Sequence, residues 1–245
     1  MGYKTRTRDL VSFREEVSCM TGCPINTDCG MYVQQIAKGD FEAGYLTARS
    51  PNPFASSCGR VCAAPCEDNC RRGRVDEPIS IRSLKKFLTE QYGPESSRPE
   101  TQKRLINGEQ PASHFHSMHA SALKQTAPQD TGGKKVAVIG AGPAGLSCAH
   151  DLAILGYSVT VFDNFDKGGG MMRYGIPSYR LPDQVIDSEI ETIRSMGVTI
   201  NQNQAVKSID ELKSQGFNAI FIGTGVTLGR KIPIEGADLP GTLTA

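Results

Sequence analysis

The spacing of apolar residues changes character near residue 135. Before that point it is helical in period. The stretch DCGMYVQQIAKGDFEAGYLTARSPNPF predicts two short helices. Gly39 and Asp40 supply a stop and a fresh N-cap. Phe41, Tyr45 and Ala48 then follow at helical spacing, and Asn52-Pro53-Phe54 ends the second helix. Ser80 is placed to cap a further helix that presents Ile81, Leu84, Phe87 and Leu88 on one face. Residues 94–134 are polar, lack sustained periodicity and read as a linker. From Lys135 the pattern becomes strand, glycine turn, helix, strand. Val136 to Ile139 read as a buried strand and Ser158 to Phe162 as a second. A helix with Ile186, Ile190 and Ile193 on one side follows, then a short strand at Val198-Thr199-Ile200. The chain therefore divides into a small helical segment (1–93), a linker (94–134) and an α/β segment (135–245).

Charge narrows the function classes. The 245 residues carry 27 Lys plus Arg against 26 Asp plus Glu. That balance gives no electrostatic case for nucleic acid or an anionic membrane as partner. No apolar run approaches the roughly 20 residues of a membrane span. The opening residues have no apolar signal core, so a soluble, cytoplasmic protein is expected.

Cysteine changes the picture most. Seven of the eight cysteines lie between Cys19 and Cys70. Without an export signal, clustered thiols point to metal rather than disulfides. CGRVCAAPCEDNC repeats a C-x3-C step through Cys58, Cys62, Cys66 and Cys70, and Cys19-x3-Cys23-Pro precedes it. The C-x2-C pairs usual for zinc are absent, whereas iron–sulfur clusters also take four thiolates. On a straight helix Cys58 and Cys70 would stand roughly 18 Å apart, too far for one cubane. Gly59 and Pro65 argue for a bend or break. Cys62 and Cys66 can share one cluster, with Cys19 and Cys23 supplying other ligands. Cys29 has no assigned place and is as compatible with a small buried residue as with ligation.

The second chemical signal is KKVAVIGAGPAGLSCAHDLAILGYSVTVFD. A strand runs into Gly140-x-Gly142-Pro143-Ala144-Gly145, a helix opens, and a second strand ends at Asp163. This is the dinucleotide-binding fingerprint in its required context. Gly140 allows the tight turn, Gly142 lets backbone approach a pyrophosphate, and Gly145 lets helix and strand pack closely. Phosphates would sit on the helix N-terminus, and Asp163 can accept hydrogen bonds from a ribose. Cys148, inside that helix, reads as packing. The histidines of HFHSMH (His114, His116, His119) read as linker residues, and CRRGRVDEP as a solvated basic turn.

CMTGCP, NPFASSCGRVCAAPCEDNCRRG and EPISIRSLKKF resemble the N-terminal iron–sulfur domain of the glutamate synthase small subunit family, which also opens dihydropyrimidine dehydrogenase. The family pattern carries two [4Fe–4S] clusters. The resemblance matches Cys23, Cys62 and Cys66 to one cluster, whose fourth ligand in some relatives is a Gln or Glu where Lys85 and Lys86 stand here. Cys19 and Cys70 match an incomplete second cluster, because an earlier cysteine pair is missing. DKGGGMMRYGIPSYRLP resembles the flavin-contacting segment of the same family. It implies FAD as the dinucleotide, with Gly169 and Gly170 near the flavin and Arg173 and Arg180 near the cofactor. FNAIFIGTG resembles the second glycine-bearing turn, placing Thr224 and Gly225 beside FAD.

The resemblance covers nearly all of the chain but only the front half of the relatives' fold. No second G-x-G-x-x-G, as an NAD(P)H domain would bring, is present. The expected architecture is a helical iron–sulfur domain followed by an incomplete Rossmann-like FAD domain. The expected function is electron transfer between FAD and an iron–sulfur centre, passed to other subunits of an oxidoreductase complex, with NAD(P)H acting at the flavin in complete relatives. A fragment of a glutamate synthase small subunit, or an assembly module with a structural metal, are the alternatives. No constellation for acid–base or nucleophilic catalysis is present, and cofactor chemistry needs none. Replacing Cys62 with Ser is expected to lose iron while flavin is retained; unchanged iron content would contradict the ligand role of Cys62.

Overall fold

The computed structural model describes residues 17–96, 98, 131–226 and 233–241. The three linker histidines and most of the linker lie outside these residues.

The front segment is built from short helices: α1 (Ser18–Thr21), α2 (Cys29–Ala37), α3 (Phe41–Arg49), α4 (Ala55–Val61), α5 (Pro65–Asp68) and α6 (Ile81–Tyr92). The two predicted helices are α2 and α3, and each starts at an aspartate whose carboxylate takes a free first-turn amide. Asp28 accepts from Met31 N at 2.9 Å and Asp40 from Ala43 N at 3.3 Å. Tyr32, Tyr45, Leu46 and Leu88 are fully buried and make the centre of this core, with Cys29 and Cys66 at its edge. Phe87 stays partly exposed but stacks edge-on against Phe41, 5.3 Å between centroids.

The cysteine-rich stretch is broken, though not where both predicted residues would place it. Gly59 lies inside α4. Its missing side chain lets the backbone of Lys86 on α6 pack against α4, since a Cβ there would fall 2.9 Å from Lys86 N. The break comes at Cys62, whose backbone leaves the helix, and at Ala64, which adopts a left-handed conformation (φ 60°) before Pro65 opens α5. A non-glycine residue in that region costs free energy. Here it breaks the path between Cys62 and Cys66, so the chain does not run on along one helix axis.

The rear segment is a four-stranded parallel sheet in the order β3-β2-β1-β4, with β1 (Lys135–Ile139), β2 (Ser158–Phe162), β3 (Thr199–Asn201) and β4 (Ala219–Ile222). The register pairs Val136 with Val159 and Val138 with Phe221. Between the strands run α7 (Pro143–Ile154), α8 (Met171–Tyr174), α9 (Asp183–Ser195) and α10 (Ile209–Ser214). This is the strand order of one mononucleotide-binding half of a doubly wound fold. Ile186, Ile190 and Ile193 of α9 are buried in its core, as the spacing predicts, and Cys148 packs against the same core.

The two segments are joined by buried contacts. Phe54 of the front segment belongs to the rear hydrophobic core. The Glu189 carboxylate on α9 accepts from Ser56 N (2.7 Å), Ser57 N (3.3 Å) and the Ser57 hydroxyl (2.5 Å) at the start of α4. Arg49, at the end of α3, lies 3.2 Å from His150 Nε2 on α7. Burial raises the Glu189 carboxyl from 4.5 to about 7, against the pull of the Ser57 and Ser56 hydrogen bonds. Between those two pH values the folded chain holds a proton that the unfolded chain releases. Glu189 therefore makes stability fall as pH rises from about 4.5 to about 7. In urea unfolding at pH 5 and pH 7.5, Glu189→Gln is expected to show a smaller fall in stability than the parent chain. An identical pH dependence would contradict the buried, proton-holding role.

Candidate cofactor site between the two segments

A cavity of about 360 Å³ opens between the helical segment and the sheet domain, within the roughly 300–1,000 Å³ range of small-cofactor sites. Five cysteines line it: Cys23, Cys29, Cys58, Cys62 and Cys66. Lys85 reaches it from α6, and Pro143, Ser147 and Met172 wall it from the sheet domain. The helix that opens at the glycine loop thus forms one side of the thiol cavity.

Each cysteine is delivered by a distinct local device. Cys23 follows α1. Cys29 is the first residue of α2, and its side chain faces the core together with Tyr32, one turn on. Cys58 lies in α4, Cys62 follows four residues on at its C-terminal cap, and Cys66 sits in α5 after the left-handed turn at Ala64. Backbone donors reach the sulfurs: Ala64 N donates to Cys62 Sγ at 3.3 Å. Arg82 pins the turn through Cys62 O (2.7 Å), and the Glu67 carboxylate accepts from Arg82 N (2.7 Å).

The thiols are electrostatically unequal. Cys23 is held down at about 4, chiefly by the hydrogen bond from Cys29, and Cys66 is lowered for the same first reason. Cys29, the donor in both contacts, is raised. Burial raises Cys58. The Lys85 charge lowers Cys29, Cys58 and Cys66 alike. Lys85 is only 7 % exposed, and its ammonium lies 5.9 Å from the centroid of the Tyr32 ring. Among the described residues no three Cys, His, Asp or Glu side chains close on a point that would hold a single metal ion. Instead the sulfurs are spread around a chamber. Several thiols, a backbone N–H on sulfur and a buried ammonium that offsets thiolate charge are a donor set that suits an iron–sulfur cage.

Cys19 and Cys70 are not among the lining residues of this chamber. Burial raises Cys19, and its next neighbours in charge are Cys70 and Cys66. α1 and α5 pack so tightly that a Cβ on Gly22 would fall 2.9 Å from Asn69 Nδ2. Cys23, Cys62 and Cys66 line one cavity, joined there by Cys58 and Cys29. What spacing missed is Cys29 and the inward reach of Lys85. The signal was available: Cys29 shares a helical face with Tyr32 and Ile36, both packed in or against the front core.

On the sheet side, Gly140 (φ 105°) makes the tight turn, and a Cβ there would collide with Gly223 O after β4. A Cβ on Gly145 would fall 1.9 Å from Gly140 O, so α7 can pack on β1 only with glycine at that position. Pro143 and Ala144 occupy the first turn of α7, where unpaired amides face outward. Gly142 and Gly170 bring their backbones together, and a Cβ on Gly170 would lie 2.8 Å from Gly142 Cα. Gly169 packs on Ile186 of α9. A second cavity of about 200 Å³ is lined by Gly140, Asp163, Phe165, Gln204 and Thr224. Asp163, at its floor, already accepts from Ala141 N and from Phe165 N (2.8 Å); its carboxylate therefore shapes the glycine loop as well as facing the cavity. Arg173 turns to the protein rather than outward. Its Nε donates to Gly168 O at 2.8 Å, and its guanidinium pairs with Asp187 and Asp183. Arg180 and Gly225 are exposed.

Comparison with known proteins follows the same two-part division. Residues 13–96 match the family described as dihydropyrimidine dehydrogenase domain II, 4Fe-4S cluster. Residues 134–244 match the pyridine nucleotide-disulphide oxidoreductase family. The chain is 41 % identical over 226 residues to the beta subunit of the NADP(+)-dependent formate dehydrogenase of Moorella thermoacetica, covering 90 % of this chain and 31 % of that one. It is 36 % identical over 225 residues to the beta subunit of the NADPH-Fe(3+) oxidoreductase of Geobacter sulfurreducens, covering 90 % and 30 %. It is 34 % identical to the PreT subunit of the NAD-dependent dihydropyrimidine dehydrogenase of Escherichia coli, covering 89 % and 48 %. The chain thus spans between about a third and a half of the length of these relatives.

Gly170→Ala is expected to cost roughly 1–3 kcal/mol of backbone strain and to push the two glycine backbones apart. Dinucleotide retained on purification should fall while iron content holds; full retention would contradict the cradle formed by Gly142 and Gly170.

Proposed function

We propose that the chain is a front portion of the flavin and iron–sulfur oxidoreductases that resemble the glutamate synthase small subunit, and that it carries electrons between a bound FAD and an iron–sulfur centre and hands them to a partner subunit. One observation carries this reading: the thiol chamber and the dinucleotide helix share a wall, formed by Pro143, Ser147 and Met172. A cluster and a flavin supply one-electron and hydride chemistry when bound, and the chain's own residues supply position and electrostatics.

Cys23, Cys62 and Cys66 hold the cluster in the chamber, with Cys58 within reach, while Cys19 and Cys70 serve a second, partial site. The Ala64 amide and Lys85 stabilise negative charge on the sulfurs. Gly140, Gly142, Pro143, Ala144 and Gly145 seat the pyrophosphate, and Asp163 and Thr224 face the nucleoside end. Gly169 and Gly170 approach the flavin with Arg173 holding their loop, while Arg180 and Gly225 remain open to the cofactor or to a partner. The reductant or acceptor at the flavin is NAD(P)H, as the names of the relatives indicate for those proteins. The partners are other oxidoreductase subunits. Among the described residues no helix is long and apolar enough to cross a membrane.

Anaerobically purified protein is expected to contain iron, acid-labile sulfide and flavin. Reduction at the flavin should be followed, in rapid-freeze samples, by the EPR signal of a reduced cluster. A colourless protein containing zinc would contradict this reading and favour a structural metal module. So would a flavin that reduces fully while the cluster stays oxidised.

A further inference from the structure

Four thiolates satisfy an iron–sulfur cage, and the chamber offers five. Cys23, Cys62 and Cys66 are assigned above, which leaves Cys29 and Cys58 as the chamber's other thiols. The two thiols sit in different surroundings. Cys29 is 2 % exposed, lines the chamber, and has Cys23 and Cys66 as its thiol neighbours. It therefore stands between two of the three assigned ligands. It is also the first residue of α2, a nine-residue helix whose opening amides favour negative charge. Lys85 from α6, itself more than nine-tenths buried, lines the same chamber. Cys58 is partly exposed, lies within α4, and is engaged by the Asn52 side chain. Its other thiol neighbour is Cys62, at the C-terminal cap of α4. It approaches only one assigned ligand.

We propose that Cys29 is the fourth ligand of the cluster held by Cys23, Cys62 and Cys66, with Lys85 as the buried counter-charge to the fourth thiolate. The inference rests on the electron-transfer reading above. Ligation exchanges the S–H bond of Cys29 for a sulfur–iron bond and releases the proton to solvent, with no change of oxidation state. The position is unusual in origin, since the residue comes from the start of a helix and not from the C-x3-C series. Lys85 has a separate consequence: four thiolates carry more negative charge than the iron–sulfur core they would bind can neutralise, and a buried ammonium offsets part of the excess in a largely apolar chamber.

The test uses the whole chain, purified anaerobically, with iron and acid-labile sulfide assays and EPR of the reduced protein. Cys29→Ala is expected to lose the chamber cluster, or to leave a three-iron signal in its place, while Cys58→Ala keeps iron, sulfide and EPR spectrum. Cys29→Ser, which offers an oxygen ligand and preserves packing, is expected to retain a cluster with an altered EPR spectrum and a shifted midpoint potential. This second variant keeps the test decisive if the alanine variant fails to fold. Cys29→Ser or Cys29→Ala with unchanged iron, spectrum and potential overturns the assignment. Cys58→Ala losing as much iron as Cys29→Ala overturns it too. A parent protein without iron or labile sulfide instead overturns the electron-transfer reading itself, so the two failures are distinct.

Discussion

The carboxylate of Glu189, buried against the amides that open α4, sets how the thiol chamber stands relative to the glycine loop. α4 is held at its start by a residue of the sheet domain and delivers Cys62 at its end. The same helix α9 that carries Glu189 packs Ile186 against Gly169 and Ile190 near Gly168. One rigid rod therefore touches both the loop that approaches the dinucleotide and the helix that presents a cluster ligand. Oxygen acceptors at a helix start are favourable for two reasons, unsatisfied amides and the helix dipole. Three donors return part of what the buried Glu189 carboxylate loses in solvation.

Buried charge is concentrated where the two segments meet. Arg49 is lowered by burial, with Tyr45, Glu189 and Asp151 pulling it back. Lys85 is balanced by the thiols it faces. Removing one partner of such a set leaves an uncompensated charge, which costs more than the pair contributes. The arrangement therefore favours one relative placement of the segments. Apolar contact through Phe54 adds to it. A fixed separation is what electron transfer between two cofactors requires, and no moving side chain is needed to achieve it.

Much of this was legible in the residues. The helix pair at Asp28 and Asp40, the strand–glycine–helix unit and the isoleucine face of α9 all follow from local rules that the fold respects. The break in the cysteine stretch was legible only in part. Pro65 marks its far side, but the turn itself rests on a left-handed Ala64, a conformation that nothing in alanine's preferences announces. Gly59 looked like a breaker and is a packing residue, because its role depends on Lys86 from a helix more than twenty positions away. Cys29, Lys85 and Glu189 were obscured for a common reason: each acts across a tertiary contact, and one-dimensional spacing carries no information about which helices meet. Arg173 shows the converse, since its position near the glycines is real while its charge is consumed by Asp183 and Asp187.

The central claim is spatial: an iron–sulfur cage sits in the chamber between the thiols and the first turns of α7. Diffraction from anaerobically grown crystals at the iron absorption edge locates iron without reference to any assumed ligand. Anomalous density is expected inside the chamber bounded by Cys23, Cys62 and Cys66, against Pro143, Ser147 and Met172. Iron confined to the neighbourhood of Cys19 and Cys70, with none in that chamber, would contradict the account.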